Sequence, residues 1–467
     1  MGSKNYKTRE LSCFNAYDIR GELGNNFDED CCYRIGVAFS CVIKAKTVVV
    51  GHDARLSSPQ LARCLIRGLN DGGTKVLDLG LCGTEEVYFG TSYHKADGGI
   101  EVTGSHNPIS YNGLKMVKFG SKPLDQMKEF LEIKRVAESL DCNFSKNSKL
   151  KWEDVSEVTR AAYCTKVLSF VDSSVFKPLK IIVNCGNGAA GPTLDTIIKQ
   201  LMVSTNVIKF EKFFHIPDGN FPNGIPNPLI LENQIVTSKM VLDEDADLGL
   251  AFDGDFDRCF FFDEKGRFIS GEHIIGLLAT VFLDKEKGAS IVHDPRVIWN
   301  ITDIVKKLNG NCVQSKTGHA FMKKSMSDNN AIYGGEMSAH HYFRDFFYCD
   351  SGMIPWLIVC LVMSQTGKPL SSLIDKQINT FPSSGEHNFT VSNPNKTIEK
   401  ILNYYDKSKP IIDRVDGVSI MTDKWRMNLR VSNTEPLLRL NIESIGDSNL
   451  VQEKLEEVKC IIRNVEN

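Results

Sequence analysis

No apolar run in the sequence is long enough to span a bilayer. The two most apolar stretches, Ile274–Leu283 and Met353–Met363, fall short of the roughly 18 residues that a transmembrane helix needs. The opening segment MGSKNYKTRELSCFNAYDIRG is polar and charged and lacks the apolar centre of an export signal. The expectation is therefore a cytoplasmic protein whose 14 cysteines are reduced, most of them acting as small buried apolar residues. Adjacent Cys31 and Cys32 have no second pair at a zinc-binding spacing. Neither sign of charge dominates, since 55 Lys and Arg face 58 Asp and Glu. That balance gives no support to a nucleic acid or a membrane surface as partner and favours small molecules.

What is present is a long chain of ordinary globular composition. Its 467 residues exceed what one core accommodates and suggest two to four domains. Short apolar runs recur, each ending in a Gly- or Asp-rich turn: VVVGHDAR (48–55), VLDLGL (76–81), GGIEVTGSHNP (98–108), LKIIVNCGNGAAG (179–191), DLGLAFDGDFDR (247–258), SIVHDPR (290–296) and AIYGGEMS (331–338). Helix-like segments follow them, so the pattern predicts α/β units with substantial parallel sheet. Ligands of such folds gather outside the carboxyl ends of the strands, where these turns lie. The polar stretch at 141–154 and the segment FPSSGEH (381–387) suggest domain boundaries. Beyond the second, VDGVSIMT, WRMNLRVS and LLRLNIES read as strands before a charged helix near Asn449–Ile462, an α+β texture. The predicted domains are 1–152, 153–260, 261–378 and 379–467. The first three share a texture that diverged copies would have.

Four turns carry candidate chemistry. In Thr103-Gly104-Ser105-His106-Asn107-Pro108, small neighbours leave the serine hydroxyl approachable and Pro108 fixes the exit. An ordinary polar loop would read the same way, but a G-x-S-x-G elbow would not. A phosphorylated serine would bring about −1.5 to −2 charges and need a cation opposite it. Asp253-Gly254-Asp255-Phe256-Asp257-Arg258 offers three carboxylates at alternate positions, a set that can converge on one hard cation. The competing reading is an acidic hairpin turn. An EF-hand is excluded, because Arg258 stands where that loop requires glycine. Arg258 suits bidentate phosphate contact, and a divalent ion beside an arginine suggests phosphoryl transfer. Gly335-Glu336-Met337-Ser338-Ala339-His340 alternates acceptors and donors suited to vicinal sugar hydroxyls. Arg430-Val431-Ser432-Asn433-Thr434-Glu435-Pro436 could cradle a phosphate. Alone, each of the last two is more simply an ordinary loop. Asp294-Pro295-Arg296 and Lys316-Thr317-Gly318-His319 add polar turns, and GNGAAG (186–191) lacks the spacing of a dinucleotide fingerprint.

Together and in this order, TGSHNP, DGDFDR, GEMSAH and RVSNTEP resemble the α-D-phosphohexomutase family, from Tyr17-Asp18-Ile19-Arg20-Gly21 to the last helix. GTEEVYF, FPNGIPNPL, AFDGDFDRCF and GGEMSAHHYFRDFFYCDSGMIPWL resemble the bacterial phosphomannomutases within it. The resemblance implies three related α/β domains with mixed sheets and a smaller α+β domain around a central cleft. It also implies interconversion of mannose 6-phosphate and mannose 1-phosphate, feeding GDP-mannose synthesis. Ser105 would carry the phosphoryl group and, with Asp253, Asp255 and Asp257, hold Mg²⁺. Glu336 and Ser338 would grip the sugar. Arg430, Ser432, Asn433 and Thr434 would hold the phosphate that is not transferred. Tyr17, Arg20, His106, Lys115, Arg258, Arg296, His319 and His340 would line the cleft, with Lys115 or His319 as the general base. Relatives often carry Lys where this chain has Arg296, which keeps the charge but casts doubt on proton transfer there. A hexose 1,6-bisphosphate would be the intermediate and activator, sugar phosphates the partners, and the assembly a monomer or homodimer. The rival readings are a glucose or dual-specificity mutase, a non-catalytic sugar-phosphate binder, and a phosphatase using aspartate nucleophiles.

Overall fold

The computed structural model describes residues 9–15, 18–141, 150–431 and 437–466. The chain divides into two compact units: Met1–Phe268 with Cys349–Thr366, and Ile269–Tyr348 with Gly367–Asn467.

Each apolar run of the sequence becomes a buried strand. In the first sheet the order is Ile19–Glu22, Tyr111–Lys118, Gly98–Val102, Thr47–His52, Lys75–Leu81, Glu153–Asp154. The β-branched run Val48–Val50 is fully buried at its centre. Helices Glu29–Ile43 and Ser58–Asp71 cover one face and pack closely on each other. Asp28 caps the first of these by accepting from the Cys31 amide. The second sheet runs Cys259–Asp263, Leu248–Phe252, Leu179–Asn184, Ile208–Phe213. In the other unit, His341–Phe343, Tyr333–Gly335, Ser290–His293 and Asn311–Gln314 form the same order again.

These three sheets share one topology. A first strand sits centrally, a second pairs parallel on one side and a third pairs parallel on the other. The chain then turns back into an antiparallel fourth strand. The reversal after the third strand is residues 103–110 in the first sheet, 253–258 in the second and 336–340 in the third. All three of the chemical turns singled out in these domains are thus the same turn of a repeated plan. The acidic-hairpin reading of 253–258 was correct about topology, and its carboxylates still converge.

The last sheet is antiparallel throughout, in the order Ser383–Thr390, Leu437–Ser444, Trp425–Val431, Val418–Met421, Ile411–Asp413. Helices Pro394–Tyr405 and Ser448–Glu466 pack on it around a core that includes Met427, Leu429, Leu440 and Ile442. Each such buried aliphatic side chain contributes about 1.5–3 kcal/mol relative to its exposed state. Of the two apolar stretches noted above, one lies in helix Gly271–Lys285 and the other in Met353–Thr366, and both are largely buried. Among the described residues no single helix is long and apolar enough to cross a membrane.

Candidate active site

In the first unit the fold brings Arg20, Ser105, His106, Lys115, Asp253, Asp255, Asp257 and Arg258 together. Ser105 has φ of 45°, in the left-handed region, which turns its side chain out of the strand path. Its Oγ lies 3.1 Å from His106 Nδ1 and 3.2 Å from Asp253 Oδ2. Gly254 makes this approach possible, since a Cβ there would collide with the Ser105 carbonyl. Arg258 donates to Asp253 Oδ2 through Nε at 2.9 Å and Nη2 at 2.7 Å, and Nη2 also donates to His106 Nδ1. Burial, reinforced by the Arg258 charge, pushes the His106 imidazole well below its usual range, so it is neutral at pH 7.

The carboxylates of Asp253, Asp255 and Asp257 are buried, with one oxygen of each within 4.8 Å of the others. Asp255 Oδ2 accepts from Thr84 Oγ1 at 2.8 Å, Thr103 Oγ1 at 3.1 Å and Lys115 Nζ at 2.7 Å. Lys115 also bonds Asp257. Burial raises the Asp253 and Asp257 carboxyls, whereas at Asp255 burial is outweighed by Lys115 and the carboxyl falls below its usual range. Lys115 is held as an ammonium: its burial is outweighed by Asp255 and Asp257, which raise it. The buried Oδ1 of Asp255 has no hydrogen-bond partner. An all-oxygen set of three buried carboxylates with an unsatisfied oxygen fits a hard divalent cation such as Mg²⁺.

Several further residues support the site. Arg55, fully buried, donates to the carbonyls of Ser105, Asn107, Pro108 and Tyr111 at 2.6–3.0 Å and so braces the serine turn. Asp53 accepts from the amides of Arg55 and Gly104. Arg20 donates to the Thr103 carbonyl. Glu85 accepts from the amides of Gly352 and Met353 at 3.0 and 3.2 Å, at the start of helix Met353–Thr366. Gly352 in turn lies against the Phe256 carbonyl, leaving no room for a side chain. The signal for Arg55 was available: His52-Asp53-Ala54-Arg55 repeats His293-Asp294-Pro295-Arg296 at the end of the equivalent strand.

In the second unit the sugar-type loop is held by its own network. Glu336 Oε1 accepts from the Gly318 amide at 2.8 Å and Oε2 from the Tyr342 hydroxyl at 2.5 Å. Burial raises the Glu336 carboxyl, against the pull of Arg296. Ser338 Oγ lies 3.2 Å from both Arg296 Nη2 and His340 Nδ1. His319 begins the helix that follows Gly318. Arg296, Arg430 and Arg439 all approach Glu386, at 3.6, 3.9 and 3.6 Å. Three guanidinium groups around one carboxylate suit a doubly charged anion; Arg439 was not foreseen. Tyr17, Ser432, Asn433 and Thr434 lie outside the described residues.

Family models cover most of the chain. Those of phosphoglucomutase/phosphomannomutase alpha/beta/alpha domains I, II and III match residues 12–140, 161–266 and 270–381, and that of the C-terminal domain matches 386–459. The chain belongs to the phosphoglucomutase/phosphomannomutase family. It is 48% identical over 455 residues to a phosphomannomutase of Salmonella montevideo, covering 97% of this chain and 99% of that one. It is 46% identical over 453 residues to a protein of Xanthomonas campestris named phosphohexose mutases, with 97% and 99% covered. A phosphoglucomutase/phosphomannomutase family structure from Burkholderia thailandensis superposes with a TM-score of 0.82 at 31% identity, covering 98% of this chain and 99% of that one. The three alpha/beta/alpha models of the family fall on the three repeated sheets described above.

Proposed function

We propose that the chain is a Mg²⁺-dependent phosphomannomutase acting through phospho-Ser105. The observation that carries this reading is the Ser105 hydroxyl, 3.2 Å from Asp253 at the edge of a buried three-carboxylate cluster. The phosphomannomutases at 46–48% identity support mannose as the sugar.

In the first half-reaction the sugar's free O1 or O6 attacks the phosphoserine phosphorus. The new O–P bond forms as the Ser105 Oγ–P bond breaks, and the hydroxyl proton passes to a base, for which His319 is the candidate, because Lys115 is already an ammonium between Asp255 and Asp257. The resulting hexose 1,6-bisphosphate turns end for end, and Ser105 accepts the other phosphoryl group. Asp253, Asp255 and Asp257, together with Ser105, would hold Mg²⁺, which would supply positive charge against the transferring group. Arg258 adds a fixed cation beside Asp253. The free Ser105 hydroxyl donates to Asp253 Oδ2 and lies 3.1 Å from the Nδ1 of neutral His106. Glu336 and Ser338 select the sugar hydroxyls. Arg296, Arg430, Ser432, Asn433 and Thr434 hold the phosphate that stays on the sugar. A hexose 1,6-bisphosphate would also activate unphosphorylated enzyme. The product serves GDP-mannose synthesis in the cytoplasm.

The test is conversion of mannose 1-phosphate to mannose 6-phosphate with Mg²⁺ and a trace of hexose 1,6-bisphosphate, against glucose 1-phosphate and the Ser105→Ala variant. Faster turnover of the mannose substrate, falling by roughly 10⁴-fold or more in the variant, is expected. Free phosphate without isomer, or activity surviving the substitution, would reject the mechanism in favour of an aspartate-based phosphatase.

A further inference from the structure

Helix Leu231–Asp243 packs on the second sheet through Thr237 and Val241, which are fully buried. Its other side is unusual for a surface helix. Leu231, Ile235 and Leu242 are 64%, 57% and 57% exposed, and Val236 and the preceding Leu229 and Ile230 are exposed as well. A continuous apolar surface of this kind marks a contact site rather than scattered surface residues. Its charges are equally ordered: Glu232 and Lys239, both exposed, stand seven residues apart on the same side of the helix. About 10 Å of helix axis separates them, too far for them to pair with each other.

We propose that this helix is the contact of a two-fold dimer of the chain, formed with a second copy of itself. The pattern is self-complementary. When two copies lie antiparallel, centred between Ile235 and Val236, positions equidistant from that centre meet. Leu231, Ile235 and Leu242, which share one side of the helix, then meet the same three residues of the second copy, and Glu232 of each copy meets Lys239 of the other. A two-fold contact demands such self-matching, because one patch must serve as both surfaces. An unrelated partner imposes no such symmetry on the sequence. Apolar residues occupy the centre and a reciprocal charge pair flanks it, the arrangement of specific interfaces. One helix face offers less than the roughly 800 Å² per partner of a standard interface, so association is concentration-dependent in the micromolar range.

The experiment is sedimentation velocity on the full chain from about 1 to 100 µM, with activity and melting temperature recorded for each variant. Wild type is expected to move from monomer to dimer over that range. Ile235→Glu is expected to stay monomeric with unchanged melting temperature and unchanged activity, since it lies outside the catalytic residues. Glu232→Lys and Lys239→Glu each place like charges opposite one another and weaken the dimer tenfold or more, whereas the double variant restores it. A chain that is monomeric throughout, a dimer indifferent to Ile235→Glu, or a double variant no better than the singles would overturn the proposal. If Ile235→Glu instead abolishes capture of a different protein while the chain stays monomeric, the face serves that protein and the dimer is rejected.

Discussion

The segments His52-Asp53-Ala54-Arg55 and His293-Asp294-Pro295-Arg296 occupy the same place in two copies of one topology, yet their arginines do different work. The aspartates behave alike. Each accepts from the amide of the arginine two residues on, and each accepts from an amide of the chemical turn, Gly104 in one case and Met337 in the other. Each preceding histidine has Nδ1 against the following carbonyl. Arg55, however, is spent on four main-chain carbonyls and is walled in. Arg296 makes two bonds to Asp294 and one to Ser338, and stands near Glu336 and Glu386. A shared framework has thus placed one arginine as a brace and the other toward ligand-type side chains.

The largest expected effect comes from breaking the brace. Arg55→Ala strands four carbonyls and a buried carboxylate, so it should cost about 3–5 kcal/mol of stability, read as a fall in urea midpoint, and remove activity with it. Arg296→Ala sharpens the contrast: its melting temperature should change less, while kcat/KM falls by roughly 10–100-fold, the loss of one or two charge-assisted bonds. Equal destabilisation by both variants would mean that the two arginines are alike after all. Asp255→Asn tests the acidic turn, whose counterpart in the domain of Arg296, residues 336–340, carries only the carboxylate of Glu336. Calorimetric binding of Mn²⁺ should weaken by about 10–100-fold or more, with Lys115 losing half its anchorage.

A smaller effect separates the units by acid. Burial holds the His341 imidazole, bonded to the Tyr333 hydroxyl at 2.7 Å, down at about 3, below the 6.5 of an unfolded chain. Between those values the unfolded state binds the extra proton. The stability His341 contributes is therefore complete above pH 6.5 and is lost as pH falls toward 3, by at most about 1.4 kcal/mol per pH unit. His341→Gln should flatten the pH dependence of the urea midpoint in that window.

The strands were legible because β-branched runs bounded by Gly and Asp leave few alternatives, and the chemical turns because polar residues at strand ends have little packing work to do. Ser105 and the three aspartates could be singled out on that basis. Arg55 was legible only as the repeat of a His-Asp-x-Arg segment, and its bracing role was not, since that depends on carbonyls 50 to 56 residues away that no local pattern announces. Arg439 reads as one more polar position in an alternating strand, and its company with Arg296 and Arg430 comes from strand pairing and folding of the unit. Glu85 was visible within GTEEVYF, but its partners at 352 and 353 lie far along the chain.

The positive φ of Ser105 has a consequence for evolution. A side chain in that conformation costs roughly 1 kcal/mol or more relative to glycine. The chain would be better folded with the very residue that could do nothing, and Ser105→Gly should melt higher than Ser105→Ala while both are inert. The margin between those two dead variants measures how much durability the lineage has surrendered to keep one hydroxyl in place.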